Sequence, residues 1–265
     1  MEPLDGPKAL ALVDAEVDVA ARMAEAYDAA QRGDYPAALN IWAPLAHAGV
    51  ARAQNNVGAC FAEGLGVERD HALALRWLTL AAEAGDAVGT RNLAALYFKG
   101  DGIEQDHVRA LDLYRAAAEA GDGPAQDMLS WMLLEEGGVS FDPVEARRLA
   151  LAAAEQGVAA AMTRVGMIYH NALGVGRDPA AAARWWAKAA ARGDADGQAM
   201  LGAAHILGAG VARDGVAALA WLLRARRAGS ALAEPFLNNA RAALSSEEIV
   251  EAERRAAAPA SEPSP

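Results

Sequence analysis

The hydrophobic positions of this chain recur every 36 residues from about residue 49 onward. In each period a large apolar side chain is followed directly by a small residue and, three residues later, by a second large side chain. The small residues are Gly58, Ala94, Ser130, Gly166 and Gly202. This spacing predicts an α-helix with one apolar face, which is notched at the small residue so that a neighbouring helix can cross there.

A second helix is predicted in each period by its start and stop signals. An aspartate stands at the expected N-cap in one register, as Asp70, Asp106, Asp142, Asp178 and Asp214. Catalytic or calcium-binding carboxylates are the alternative interpretation, but a fixed place before each helix favours capping. Each second helix ends at a glycine that opens the next period. Trp77, Trp185 and Trp221 share one register position and are expected to pack between successive periods.

Glycine pairs are predicted to end the first helix of most periods. Examples are Gly64 with Gly66, Gly100 with Gly102, and Gly208 with Gly210, whereas Ala172 replaces the first glycine of the fourth period. A phosphate-binding loop is the alternative, but these pairs follow helices and complete no nucleotide-binding motif. We therefore expect left-handed backbone at these positions, which glycine adopts readily.

A fixed period of this length indicates an all-α solenoid of helix-turn-helix repeats. The expected organisation is a disordered lead, a divergent helical pair as N-terminal cap, five repeats, C-terminal capping helices and a disordered tail. The expected ranges are 1–8 for the lead and 9–48 for the N-terminal pair. The five repeats are expected at 49–84, 85–120, 121–156, 157–192 and 193–228, the C-terminal helices at 229–257 and the tail at 258–265.

Composition and charge narrow the classes of function. The net charge is -11, and no Lys/Arg stripe is evident in the sequence, so nucleic acid is not expected as a partner. The lone Cys60 excludes an internal disulfide. The acidic N-terminus does not resemble a secretory signal, and no apolar run is long enough to span a bilayer. We expect a cytoplasmic protein without membrane insertion, metal or cofactor.

The first repeat carries a recognisable pattern. It consists of Ala53, Val57-Gly58, Phe61, Gly64, Gly66-Val67, Asp70, Ala74, Trp77, Ala81-Ala82 and Gly85. This pattern resembles the Sel-one-like repeat (SLR), a relative of the tetratricopeptide repeat. The resemblance implies a right-handed α/α superhelix that acts as an adaptor or scaffold, often in bacterial signalling or envelope processes. Cysteine-rich relatives are linked to β-lactam binding or hydrolysis, but this chain lacks their cysteines.

Candidate binding residues follow from the same resemblance, because the first helix of each tetratricopeptide pair lines a concave groove. They are Asn55, Asn56, Arg91, Asn92, Phe98, Lys99, Asp127, Trp131, Arg164, Met167 and His170. Apolar anchors such as Phe98, Trp131 and Met167, among cationic side chains, suit capture of a peptide. The alternatives are that these residues form a solvated face, or that Trp131 packs into the irregular third repeat.

The sequence therefore predicts a non-catalytic module that binds a protein or peptide partner. Its five histidines are scattered, and neither a zinc-protease nor a nucleophile-elbow motif occurs. Two alternatives remain. One is a hydrolase acting on a cell-wall or β-lactam type of substrate, and the other is a self-associating scaffold, because the open ends of a repeat array can stack.

Overall fold

The computed structural model describes residues 19–135 and 140–258. Within these ranges the chain forms fourteen α-helices and one short 3-10 turn, without a β-strand. The all-α prediction is therefore confirmed for the described residues. The predicted lead, the first part of the predicted N-terminal helix and all but the first residue of the predicted tail lie outside them, as does the loop segment 136–139.

The chain divides into two compact units, residues 1–125 and residues 126–265. The helices of the first unit are α1 (Val19–Gln31), α2 (Tyr35–His47), α3 (Ala51–Glu63), α4 (His71–Glu83), α5 (Ala87–Lys99) and α6 (His107–Glu119). Helix α7 (Gly123–Leu134) begins at the end of the first unit and continues in the second. The second unit continues with α8 (Pro143–Glu155), α9 (Ala159–Asn171), α10 (Pro179–Ala191), α11 (Ala195–Leu207), α12 (Gly215–Arg227), the turn Ala231–Ala233, α13 (Glu234–Ala242) and α14 (Ser246–Ala257).

In the first unit each helix packs on the next, from α1 through α6, and α3 also contacts α5. The first helices of neighbouring repeats are therefore in direct contact. One cluster of the core includes Trp42, Leu45 and Val57, with Trp77 packed against it, and another contains Leu78 and Leu93. Apolar burial between consecutive helix pairs thus holds this unit together.

The second unit repeats this arrangement. Helices α8 through α12 pack consecutively, and α9 contacts α11 as α3 contacts α5. Both C-terminal helices pack on α12, where their apolar residues cover Leu219 and Leu222. This contact buries the apolar side of the last repeat, which is the role of a terminal cap in a repeat array.

The five aspartates in one register cap the second helices, as predicted. Each carboxylate accepts a hydrogen bond from a backbone N–H in the first turn of its helix, at 2.8 to 3.1 Å. The prediction of helix caps is confirmed at all five positions.

The loops between paired helices use left-handed backbone at both positions of the glycine pair. Gly208 has φ +67° and Gly210 has φ +77°, and Ala172 adopts φ 60° at the position equivalent to Gly208. The second position also lies against the preceding repeat. A Cβ on Gly66 would meet Pro36 and Tyr35, and a Cβ on Gly210 would meet the carbonyl of Pro179. The second glycine is therefore required by its conformation and by close approach of another backbone.

The small residues of the first helices form the predicted notches. A Cβ on Gly58 would lie 2.8 Å from Leu78, and a Cβ on Gly202 would lie 2.8 Å from Leu222. Gly166 faces the indole of Trp186, which is only 2% exposed. The notch prediction is thus confirmed in these three repeats. The neighbouring Trp185, expected from the sequence to pack between repeats, is partly buried and packs against the core cluster that contains Met162 and Val165, whereas Trp186 was not singled out in the sequence.

Candidate functional site

The predicted binding residues lie on the first helices of the repeats, in two sets. We call the side of α3 and α5 in the first unit, and of α7 and α9 in the second unit, that carries them the first-helix face. Within the first unit the set comprises Asn55, Asn56, Arg91, Asn92, Phe98 and Lys99. Within the second unit it comprises Asp127, Trp131, Arg164, Met167 and His170.

The three asparagines of the first unit are joined by hydrogen bonds. The side-chain amides of Asn92 and Asn55 are 2.8 Å apart, and those of Asn55 and Asn56 are 3.1 Å apart. Asn55 is only 4% exposed. These amides therefore connect α3 to α5, and they are not part of a solvated face.

Arg91 is held at the junction between two repeats. Its guanidinium donates to both carboxylate oxygens of Asp122 at 3.1 Å, and Asp122 also accepts from the N–H of Ala125 at 2.8 Å. In the second unit Thr163, at the position equivalent to Arg91, donates to Asp194 at 2.6 Å. Arg91 thus has a structural contact as well as a place on the first-helix face.

The other two residues of the first set lie at the C-terminal end of α5. The ring of Phe98 is partly buried and meets the ring of His107 edge to face, with centroids 5.0 Å apart. Lys99 is exposed in the last turn, where a cation interacts favourably with the helix dipole.

In the second unit an ion pair links α7 to α9. The Nε atom of Arg164 donates to the carboxylate of Asp127 at 2.8 Å, and the two side chains are 18% and 14% exposed. This pair has the same spacing in the sequence as Asn92 with Asn55. In both units a polar contact between equivalent positions thus joins neighbouring first helices, as an ion pair in the second unit and an amide hydrogen bond in the first.

Two large apolar side chains follow this ion pair by about one helical turn. Trp131 lies four residues after Asp127 and is partly buried, and Met167 lies three residues after Arg164 and is 39% exposed. Because residues three or four apart share a helix face, both belong to the side that carries the ion pair. His170 lies one turn further, with its ring 5.5 Å from the ring of Trp186 and its Nδ1 atom buried without a hydrogen-bond partner.

A basic surface on the second helices was missed by the sequence analysis. Helices α10 and α12 contain Arg184, Lys188, Arg224, Arg226 and Arg227 and no Asp or Glu. Lys188 and Arg224 occupy one register position, and each lies over the ring of a tryptophan three residues earlier. The expectation that the chain has no Lys/Arg stripe is wrong here, because these cations are concentrated only when the two helices are aligned in the repeat register.

The described residues offer little support for nucleophilic or metal chemistry. Burial raises the pKa of the Cys60 thiol to about 11, so the thiolate form is scarce at neutral pH. No group of three or more His, Cys, Asp or Glu in ranges 19–135 and 140–258 is arranged to hold a metal ion. Within the same ranges no helix is both long and apolar enough to span a bilayer.

Comparison with protein families identifies the repeats. A model of the Sel1 repeat matches five consecutive segments, 51–86, 87–122, 123–158, 159–194 and 195–230. The chain belongs to the Sel1 repeat family. The resemblance stated from the sequence is therefore confirmed. The family's segments begin at the first residue of each first helix, two residues later than the boundaries expected from the glycines.

Solved structures share this fold. A protective antigen of uropathogenic Escherichia coli with an SLR fold is 28% identical, with a TM-score of 0.81 over 90% of this chain. The chain corresponds to 52% of that protein's length. A Sel1 repeat protein from Oxalobacter formigenes is 26% identical, with a TM-score of 0.77, and the match covers 91% of this chain and 99% of the other. Comparison with curated proteins gives no match.

Sel1 repeat proteins generally act as scaffolds for protein interactions. Both solved relatives described above come from bacteria. The Sel1 repeat fold is typically non-catalytic, and none of these comparisons supports a hydrolase.

Proposed function

We propose that this chain is a non-catalytic adaptor that binds a peptide or a partner protein on the first-helix face of its repeats, in bacterial signalling or envelope-related regulation. The observation that carries the proposal is the exposure of Met167 beside a largely buried ion pair in the second unit. Together with the partly buried Trp131 on the same side of the neighbouring first helix, Met167 offers a partner two large apolar side chains beside polar groups that are already fixed.

The fixed polar contacts favour binding because they order the face before a partner arrives. Arg164 is tied to Asp127, and Asn92 is tied to Asn55, so the first helices of neighbouring repeats are already set relative to each other within each unit. A preorganised surface loses less conformational entropy on association than a flexible one. In this proposal the paired residues position the face, and the apolar residues make the contacts.

The apolar contacts are assigned to Met167 and Trp131 in the second unit and to Phe98 in the first. Lys99, exposed at the end of α5, supplies a cation for a carboxylate of the partner. The polar residues Arg91, Asp127 and Arg164 are assigned a positioning role, since each is engaged within the chain.

Self-association is a second candidate, because the ends of repeat arrays can stack. Light scattering over a range of concentrations separates the two. A mass that rises with concentration favours self-association, and a constant monomer mass favours an adaptor for other proteins.

We expect the charged substitution Met167→Glu to reduce recovery of the partner from a lysate of the source organism by about tenfold, because it places a charge at the centre of an apolar contact. The matched control is Leu80→Glu, which changes a residue of similar exposure, 44% against 39%, on the second helix α4. Recovery is measured by quantitative mass spectrometry on the immobilised protein. Circular dichroism checks that both variants are folded.

The outcome that contradicts the proposal is equal recovery by Met167→Glu and wild type. Loss of the partner by Leu80→Glu alone would assign binding to the second helices instead.

A further inference from the structure

The second helices of the last two repeats form a cationic surface within an acidic protein. Helices α10 and α12 carry five cations and no carboxylate, while the whole chain has a net charge of -11. Arg184, Lys188, Arg226 and Arg227 are exposed. Among the described residues neither Arg184 nor Arg226 takes part in an ion pair. We call Arg184, Lys188, Arg224 and Arg227 the basic surface; Arg226, two residues after Arg224, lies on another side of α12.

Four carboxylates at the starts of α10 and α12 or on α14 are engaged elsewhere. Asp178 and Asp214 cap the N-termini of α10 and α12, at the opposite ends from Lys188 and Arg226. On α14, Glu251 pairs with Arg254 and Arg255, both at 2.7 Å, and Glu253 pairs with Arg241 at 2.7 Å. The basic surface is therefore not neutralised by these acidic residues.

Part of the basic surface already binds an electronegative group of the chain. Arg224 donates to the carbonyls of Arg255 and Ala258 at 2.6 and 2.7 Å, and Arg227 donates to that of Ala256 at 2.8 Å. These carbonyls belong to the C-terminal end of α14, which carries the negative pole of the helix dipole. Burial, and to a lesser extent the charge of Arg227, lower the pKa of Arg224.

The preceding repeat presents an equivalent cation whose position faces no capping helix. Lys188 lies 36 residues before Arg224, and its ammonium lies 4.2 Å from the centroid of the Trp185 ring, as the Arg224 guanidinium lies 4.7 Å from that of Trp221. Stacking on an indole restricts a flexible cationic side chain and leaves its outer side available to an anion. Arg184 stands one turn before Lys188 on the same helix.

We propose that the basic surface, centred on Arg184 and Lys188, docks an acidic segment of a partner protein, whose carboxylates take the place that the carbonyls of α14 take at Arg224. Each of the two helices is thirteen residues long, which is about 20 Å. This size suits a short peptide segment. Double-stranded DNA carries a charge about every 1.7 Å along its axis and would extend over the acidic remainder of the chain, which disfavours it. An anionic membrane is disfavoured because it too would extend beyond these two helices over the acidic remainder of the chain.

The proposal is tested by fluorescence anisotropy with a labelled deca-glutamate peptide at low salt. We expect the double variant Arg184→Glu, Lys188→Glu to bind this peptide at least about tenfold more weakly than wild type. The control Arg32→Glu, Arg76→Glu changes two exposed arginines of the first unit and alters the net charge equally, so its affinity should stay within about twofold of wild type. Circular dichroism verifies the fold of both, and a short DNA duplex and phosphatidylserine vesicles serve as comparison probes.

Three results would overturn the proposal. These are failure of wild type to bind the peptide, an equal loss of affinity in both double variants, and tighter binding of the duplex or the vesicles than of the peptide. Because Met167 lies on a first helix, loss of the partner in the Met167→Glu experiment tests a different surface, and the two proposals can fail separately.

Discussion

Replacing Gly210 with alanine is expected to lower the free energy of unfolding by about 3 kcal/mol, whereas replacing Gly208 with alanine is expected to lower it by about 1 kcal/mol. Both residues have left-handed backbone, with φ +77° and +67°. The left-handed backbone alone makes a Cβ lower the free energy of unfolding by roughly the same amount at either position. The difference arises from their surroundings.

The Cβ of an alanine at position 210 would meet the backbone carbonyl of Pro179, which begins α10 and cannot move without shifting that helix. At position 208 it would lie 2.9 Å from Cγ of Arg213, an exposed and flexible side chain that can move aside. The fourth repeat already has Ala172 at the position equivalent to Gly208, with φ 60°. The chain thus contains its own example of the tolerated substitution.

Urea denaturation followed by circular dichroism measures this difference. Since repeat arrays can unfold in steps, the comparison uses the transition of the second unit in both variants. Equal destabilisation by Gly208→Ala and Gly210→Ala would show that the close approach to Pro179 is unimportant.

The second large effect is expected at Trp186. We expect Trp186→Ala to lower the free energy of unfolding by about 4 kcal/mol, because it removes a large, almost fully buried side chain and leaves a cavity. The indole also donates to the carbonyl of Thr163 at 3.3 Å. Loss of this hydrogen bond adds to the loss of apolar contacts.

Leucine at the same position is the matched control. Leu78 faces Gly58 and Leu222 faces Gly202 at the equivalent positions of the first and fifth repeats. Trp186→Leu therefore recreates a pairing that the chain already uses, and we expect it to cost about 2 kcal/mol. Denaturant unfolding of both variants provides the measurement. A cost for Trp186→Leu as large as that for Trp186→Ala would contradict this explanation of the notch.

The helix ends and notches were predictable because their signals are local. An aspartate before a helix, a glycine after it and a small residue between two large ones each act within a few residues, and the 36-residue period repeats them five times. Trp186 was missed because it adjoins Trp185, and which of two neighbouring residues enters the core depends on the rotation of the helix. That rotation is set by packing against α9, where Gly166 makes room for the larger insertion.

The contacts within the first-helix face could not be read from the sequence. Arg164 reaches Asp127 across 37 residues, and Asn92 reaches Asn55 across the same separation, so both contacts depend on the offset between neighbouring repeats. The basic surface was missed for a related reason. Lys188 and Arg224 belong to helices that are separated in the sequence by α11, and the overall acidity of the chain hides their concentration.

Site-specific photo-crosslinking tests the central claim most directly. A benzophenone amino acid is introduced in place of Met167, and in a second variant in place of Leu80, and the proteins are irradiated in cells of the source organism. The proposed function predicts a covalent adduct with a partner protein from position 167 and none from position 80. An adduct from position 80 alone, or equal adducts from both, would contradict binding on the first-helix face.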